Sequence, residues 1–204
     1  MGVTAPSRGG SFLADLPGLM QWRKRGYLDH APQGVKESVL LAHGVPGAPW
    51  IETGTFRGTT TAFLLRHFGK VYSIEPEPKL FAKAARRFAG TDVELFNDVS
   101  ETVLPDLLPR LSGDCNFWLD GHYSAGVTFQ GSQDCPVEDE LAAIAAHLDR
   151  LGRVSILIDD VRCFLASNTD YPDYPTLDRL VDWSRAHGLE WRIEHDIFIA
   201  KAPG

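Results

Sequence analysis

From Pro49 onward the apolar positions fall into two alternating kinds of run. WIET, KVYSIE, DVELFN, CNFWLDG and RVSILIDD are short compact apolar stretches that predict strands. TTTAFLLRHF, PKLFAKAARRFA, ETVLPDLLPRL, PVEDELAAIAAHLDRL and PTLDRLVDWSRAH carry apolar residues three and four positions apart and predict helices. Strand and helix alternating at this spacing implies right-handed crossovers and a mostly parallel sheet with helices on both faces. KVYSIE and RVSILIDD are nearly continuous apolar runs, as strands covered on both faces are. The end of the chain differs. In LEWRIEHDIFIAKA two alternating runs are parted only by His195 and Asp196, which leaves no room for a crossover helix and predicts an antiparallel hairpin. The expected fold is α/β, a three-layer sandwich around a mostly parallel seven-stranded sheet closed by a terminal antiparallel hairpin.

Ahead of this core, Phe12, Leu13, Leu16, Leu19, Met20 and Trp22 recur at helical spacing, and VKESVLLAHGV forms a second apolar run. Residues 1–10 are rich in Gly, Pro, Ser and Thr and read as a mobile leader. Residues 11–204 read as a single domain, with N-terminal helical elements over 11–48 and the sheet-bearing core over 49–204. No repeat or linker divides the chain. With 44% hydrophobic and 23% charged residues in 204, one well-filled core is expected. A formal net charge of −7 argues against nucleic acid or an anionic membrane as partner, since phosphate binding needs clustered Lys and Arg and QWRKRG is too short a patch. There is no long apolar span and no secretory h-region, so a cytoplasmic location is expected. Cys115, Cys135 and Cys163 have no CxxC spacing and read as reduced packing residues.

Ligands of open parallel sheets bind outside the carboxyl ends of the strands, near the point where strand order reverses. Each of the five strands delivers a carboxylate there: Glu52, Glu75, Asp98, Asp120, and Asp159 with Asp160. A lone acid at a strand end more often caps a helix or serves a turn. Several gathered on one rim without Lys or Arg partners would repel and raise one another's pKa unless a cation or a hydroxyl-rich ligand satisfies them. Gly54 and Gly58 mark places where the backbone approaches a ligand or turns sharply, and the helix starting near Thr59 turns free N–H groups toward them. Neither GxGxxG nor GxxxxGK[ST] is present. Glu75 suits the two hydroxyls of a ribose, and Asp98 could accept from an adenine amino group, so an adenosine-containing ligand is expected. Asp120, Asp159 and Asp160 offer hard oxygen ligands for Mg²⁺ or a similar divalent ion. Because the unperturbed pKa of a histidine lies close to neutrality, His122 could take a proton from a substrate hydroxyl, although it is as readily a loop histidine.

ETGTFRG resembles the first motif of the class I S-adenosylmethionine-dependent methyltransferases, in which ExGxxxG follows the first strand, and the terminal hairpin is that Rossmann-like fold's signature. The likeness spans Trp50 to Lys201. More narrowly, ETGTFRG, LDGHYS and ILIDD together resemble the metal-dependent small-molecule O-methyltransferases related to the macrocin and aminocoumarin-sugar enzymes. The resemblance implies that Glu52, Thr53 and Gly54 line the methionine part of the cofactor with Gly58 closing the motif, that Glu75 holds the ribose, and that Asp98 lies by the adenine. It also implies that Asp120, Asp159 and Asp160 bind Mg²⁺. The sugar methyltransferases carry an aspartate where this chain has His122, and catechol-type relatives a lysine where it has Tyr123. The expected activity is methyl transfer to a hydroxyl of a small metabolite, with Asp120 and His122 as the catalytic pair and a homo-oligomer left open. The rival readings are a nicotinamide-dependent oxidoreductase, against which the missing GxGxxG weighs, and a non-catalytic S-adenosylmethionine-binding protein.

Overall fold

The computed structural model describes residues 16–27, 30–121, 135–167, 170–171 and 174–203. Two helices lead in, α1 (Leu16–Lys24) and α2 (Gln33–His43). The core then runs β1 (Trp50–Thr53), α3 (Thr59–Phe68), β2 (Val71–Ile74), α4 (Pro78–Arg87), β3 (Val93–Phe96), α5 (Ser100–Leu107), β4 (Gly113–Leu119), α6 (Val137–Ala145), β5 (Leu151–Ile158), α7 (Leu177–Ala186), β6 (Glu190–Glu194) and β7 (Ile197–Lys201). All seven strands form one sheet in the order β3-β2-β1-β4-β5-β7-β6. The first five are parallel and β7 is antiparallel to both β5 and β6. The expected α/β three-layer sandwich with its closing hairpin is the observed one. The leader over residues 1–10 lies outside the described residues.

The apolar runs are continuous because their period-two alternation feeds two cores. Ile51, Phe117, Leu119, Ile156 and Ile158 pack toward α5, α6 and α7 with Leu104, Leu141, Ile144 and Leu180. Trp50, Trp118, Leu157, Ile197 and Ile199 pack toward α2 and α3 with Val39, Leu40 and Leu64. A small cluster of Trp22, Ala31 and Val35, with Leu19 against it, ties α1 to α2. The buried side chain of Asn116 fixes the entry to β1, accepting from Val45 N–H at 2.7 Å and donating to the carbonyls of Val45 and Ala48. The hairpin turn is the two-residue kind, with φ of 52° at His195 and 69° at Asp196.

Two boundaries depart from the sequence pattern. The helix read through Leu151 ends at Ala145, and a 3₁₀ turn over Leu148–Arg150 leads into a β5 that starts at Leu151. The helix read as ETVLPDLLPRL yields to a 3₁₀ turn at Leu108–Arg110, where Pro109 lacks the N–H that another α turn would use. Among the described residues no helix is long and apolar enough to cross a membrane.

Candidate functional site

The sheet order reverses at β1, which is followed in sequence by its neighbour on one side and much later paired with β4 on the other. The carboxyl ends of these two strands are in direct contact. Gly54 has φ +86°, and a Cβ there would lie 2.4 Å from the carbonyl oxygen of Asp120. Glycine is therefore fixed by the backbone of the β4 end as well as by the turn. Gly58, at the N-cap of α3, has φ +69°, and a Cβ would lie 2.8 Å from the Phe88 ring. Between them Phe56, 41% exposed, is held at φ 48°, a conformation uncommon for a bulky residue. The Arg57 guanidinium lies 5.2 Å from the Phe56 ring centroid, and its carbonyl accepts from Arg87 Nη1 at 2.5 Å.

The acids on the β1 and β2 side have distinct surroundings. Glu52 is fully buried, and its Oε2 accepts from Thr61 Oγ1 at 2.5 Å and Ser73 Oγ at 2.6 Å. Its Oε1 has no partner among the described residues. Burial pushes the carboxyl up to about 7 against the pull of the two hydroxyls. Glu75 bridges two loops, accepting from Phe56 N–H at 2.7 Å and Glu77 N–H at 3.0 Å. Burial raises it, and the same two amides hold it down. Asp98 is exposed at the end of β3, with Oδ1 2.8 Å from the Val99 N–H. Thr53 is buried.

The acids on the β4 and β5 side do converge. Leu119 pairs with Ile158, so Asp120 and Asp159 leave adjacent strands in register. Oxygens of Asp120, Asp159 and Asp160 lie within 4.8 Å of one another. Burial first, then the Asp159 charge, raises Asp120 well above the carboxylate range, and burial with Asp160 brings Asp159 to about 6. The expectation that these acids lack basic partners is wrong. Lys36, one turn into α2, places its ammonium on Asp159 Oδ2 and 4.0 Å from Asp160. Arg162 Nη1 bonds Asp160 Oδ1 at 2.8 Å and also pairs with Asp196 of the hairpin turn. The carboxylates are thus partly neutralised by Lys36, from a helix before the core, and by Arg162, just after β5. The donor set still suits a hard divalent ion: three carboxylates meet at one point, and Asp159 Oδ1, fully buried, has no partner among the described residues.

No protein-family model and no curated protein sequence matches the chain. Solved structures do. A TehB-like S-adenosylmethionine-dependent methyltransferase from Corynebacterium glutamicum aligns over 93% of this chain and 97% of its own, at 15% identity and TM-score 0.50. The glycopeptide N-methyltransferase MtfA, complexed with S-adenosylmethionine, aligns at 12% identity and TM-score 0.52 over 83% and 86% of the two chains. The 23S rRNA methyltransferase ErmE aligns at 13% identity and TM-score 0.52 over 85% and 68%. The fold is the Rossmann-like methyltransferase fold.

Within this methyltransferase fold, two site residues had no part in the sequence expectation. Lys36 is one. Glu140, in the first turn of α6, is the other. It is 1% exposed, and burial pushes its carboxyl up to about 7, opposed by the Ser100 and Thr53 hydroxyls. Its Oε1 has no partner among the described residues and lies 3.5 Å from where a Gly121 Cβ would stand, beneath the junction of β1 and β4. The signal for Lys36 was strand alternation. Trp118 and Leu157 face α2 and α3, so Asp120 and Asp159, two residues on, face the layer that holds VKESVLL. His122 lies outside the described residues, as does most of the YSAGVTFQGSQDC loop. The three cysteines are free and buried, and burial pushes Cys115 and Cys163 up to about 11 and Cys135 to about 12, which suits packing rather than nucleophilic chemistry.

Proposed function

We propose that this chain is an S-adenosylmethionine-dependent methyltransferase that methylates a hydroxyl of a small metabolite with the help of a divalent cation. The observation that carries the reading is the contact at the switch point. There the glycine turn after β1 touches the backbone of Asp120, which shares an acid cluster with Asp159 and Asp160. One rim thereby joins a place for the cofactor to a place for the acceptor.

S-adenosylmethionine supplies an electrophilic methyl carbon, and a bound Mg²⁺ would orient a substrate hydroxyl and favour its ionisation. In this reading Glu52, Thr53, Gly54 and Gly58 shape the methionine side, Glu75 receives the ribose hydroxyls and Asp98 lies by the adenine. Asp120, Asp159 and Asp160 hold the ion. His122 takes the hydroxyl proton as the oxygen–carbon bond forms and the carbon–sulfur bond breaks, its electron pair staying on sulfur. Buried carboxyls at Glu52 and Asp159, with Asp120 half-buried beside them, suit a cofactor that carries a fixed positive sulfonium. The net charge of −7 supports a small acceptor over RNA; the likeness to ErmE is one of fold.

Calorimetry with S-adenosylhomocysteine tests the cofactor half. No binding at high micromolar ligand would remove it. Transfer of a labelled methyl group across a panel of hydroxylated metabolites, with and without EDTA, tests the rest. Asp159→Asn and His122→Asn are expected to abolish transfer while leaving homocysteine-product affinity within about threefold; full activity in either variant removes that residue from the mechanism. Binding without transfer to any acceptor would favour the sensor reading.

A further inference from the structure

The ammonium of Lys36 lies against Asp159 and 4.0 Å from Asp160, two of the three acids that would hold the divalent ion of the proposed reaction. We propose that Lys36 and a hard divalent cation are alternative occupants of the Asp120, Asp159 and Asp160 site, so that Lys36 sets how tightly the ion is held. The proposal rests on the metal reading above and adds a residue to it that the acid cluster alone does not suggest.

Val39 and Leu40 of α2 are buried in the core beneath the sheet, and the first turn is docked on α3 through Gln33 Nε2 and Thr60 Oγ1 at 3.2 Å. The helix is therefore fixed at both ends. The Lys36 side chain is not: it keeps 15% exposure and reaches the acids on a flexible four-carbon stem. It can swing toward solvent without unpacking α2.

The charge balance favours exchange over sharing. One ammonium faces three carboxylates, and it engages Asp159 through Oδ2 only, leaving the buried Oδ1 without a partner among the described residues. An ammonium is a donor with no lone pair and cannot itself join a metal's ligand shell. A divalent ion bound to Asp159 would lie beside Lys36 at close range, and two cations in a poorly solvated pocket repel strongly. A divalent ion also brings a second charge and several ligand positions, and so satisfies the oxygens that Lys36 leaves open. Asp160 is less affected, because Arg162 holds its Oδ1 at 2.8 Å from the opposite side. The competition is thus centred on Asp159, with Asp120 as the second acid that feels it, consistent with the attraction of Lys36 to all three acids.

The test uses the full chain without cofactor, titrated with Mn²⁺ and followed by the electron paramagnetic resonance of the free ion. Lys36→Met is expected to bind Mn²⁺ about tenfold tighter or more than the wild type, the equivalent of about 1.4 kcal/mol. Lys36→Arg, which keeps the charge, is expected to bind no tighter than the wild type. Melting curves with and without Mn²⁺ accompany each titration, and Lys36→Gln replaces Lys36→Met if the latter does not fold. A merely structural lysine would lower the melting temperature and leave ion affinity where it was. Equal or weaker binding by the charge-removing variant while the wild type binds Mn²⁺ overturns the exchange. Absence of binding in both overturns the metal reading itself, leaving Lys36 as the permanent occupant.

Discussion

Glu52 is the sharpest test of the electrostatic account, because its carboxyl is fully buried and, among the described residues, has no basic partner and only two hydroxyl donors. Burial raises it from an ordinary 4.5 to about 7. In the pH interval between these values the folded protein keeps a proton that the unfolded chain has lost, so stability is full below 4.5 and is lost as pH rises through about 7. At about 1.4 kcal/mol per pH unit, the interval from 4.5 to about 7 corresponds to a loss of about 3 kcal/mol. Glu52→Gln mimics the protonated acid: its amide oxygen can accept from Thr61 and Ser73, and no proton is lost on unfolding. The variant should therefore match the wild type near pH 4.5 and exceed it near pH 8. A domain of this length gains about 2–4 °C per kcal/mol, so the expected separation is about 6–12 °C by calorimetric melting. Asp159, raised to about 6, and Glu140, raised to about 7, are present in both proteins, which is why the difference between the two curves, and not the slope of either, is the quantity to read. Parallel curves, or a variant less stable at pH 8 than at pH 4.5 relative to the wild type, would refute the burial argument. If the separation is found, the wild type bears, above about pH 7, a stability cost that glutamine removes.

Other outcomes follow from the same geometry. Gly54→Ala combines a left-handed φ of +86° with a Cβ 2.4 Å from the Asp120 carbonyl, and should cost about 3 kcal/mol or more; a melting temperature unchanged by the alanine would show that the β1 and β4 ends can part freely. Arg162→Met removes the tie between Asp160 and the hairpin turn. With Arg162 32% exposed, solvent screening limits the loss to about 1–2 kcal/mol, and amide exchange should quicken at Val161, whose N–H bonds the Asp196 carbonyl at 2.9 Å. Unchanged protection there would mean that the ion pairs do not hold the turn.

How far the sequence revealed this arrangement depends on how local each signal is. The strands and the hairpin were legible because alternation and a two-residue gap at His195 and Asp196 are local facts, and the structure returns all seven strands. The ends of α5 and α6 were less so, since Leu108–Arg110 and Leu148–Arg150 continue the helical apolar spacing while forming 3₁₀ turns. The convergence of Asp120, Asp159 and Asp160 was legible from strand ends alone. Their charge partners were not: Lys36 meets Asp159 across 123 residues of sequence, and Arg162 reaches both an acid two residues away and one in the terminal turn.

What alternation does determine is the face, and this changes the meaning of the N-terminal helices. Trp50 and Glu52, Trp118 and Asp120, and Leu157 and Asp159 are each two residues apart on one strand or its end, so in each pair the acid points to the side where the apolar residue meets α2 and α3. Thr53, one residue out of phase, points to the opposite layer, where Glu140 of α6 stands. Glu52, Asp120 and Asp159 therefore share one layer by a parity fixed in the sequence, and Glu140 stands in the other on α6. A helix that buries Val39 and Leu40 beneath that face brings Lys36, at the spacing of one turn, up to the rim. On this argument α2 is a wall of the site. Its packing in the core and its ammonium among the carboxylates are two consequences of one helical period.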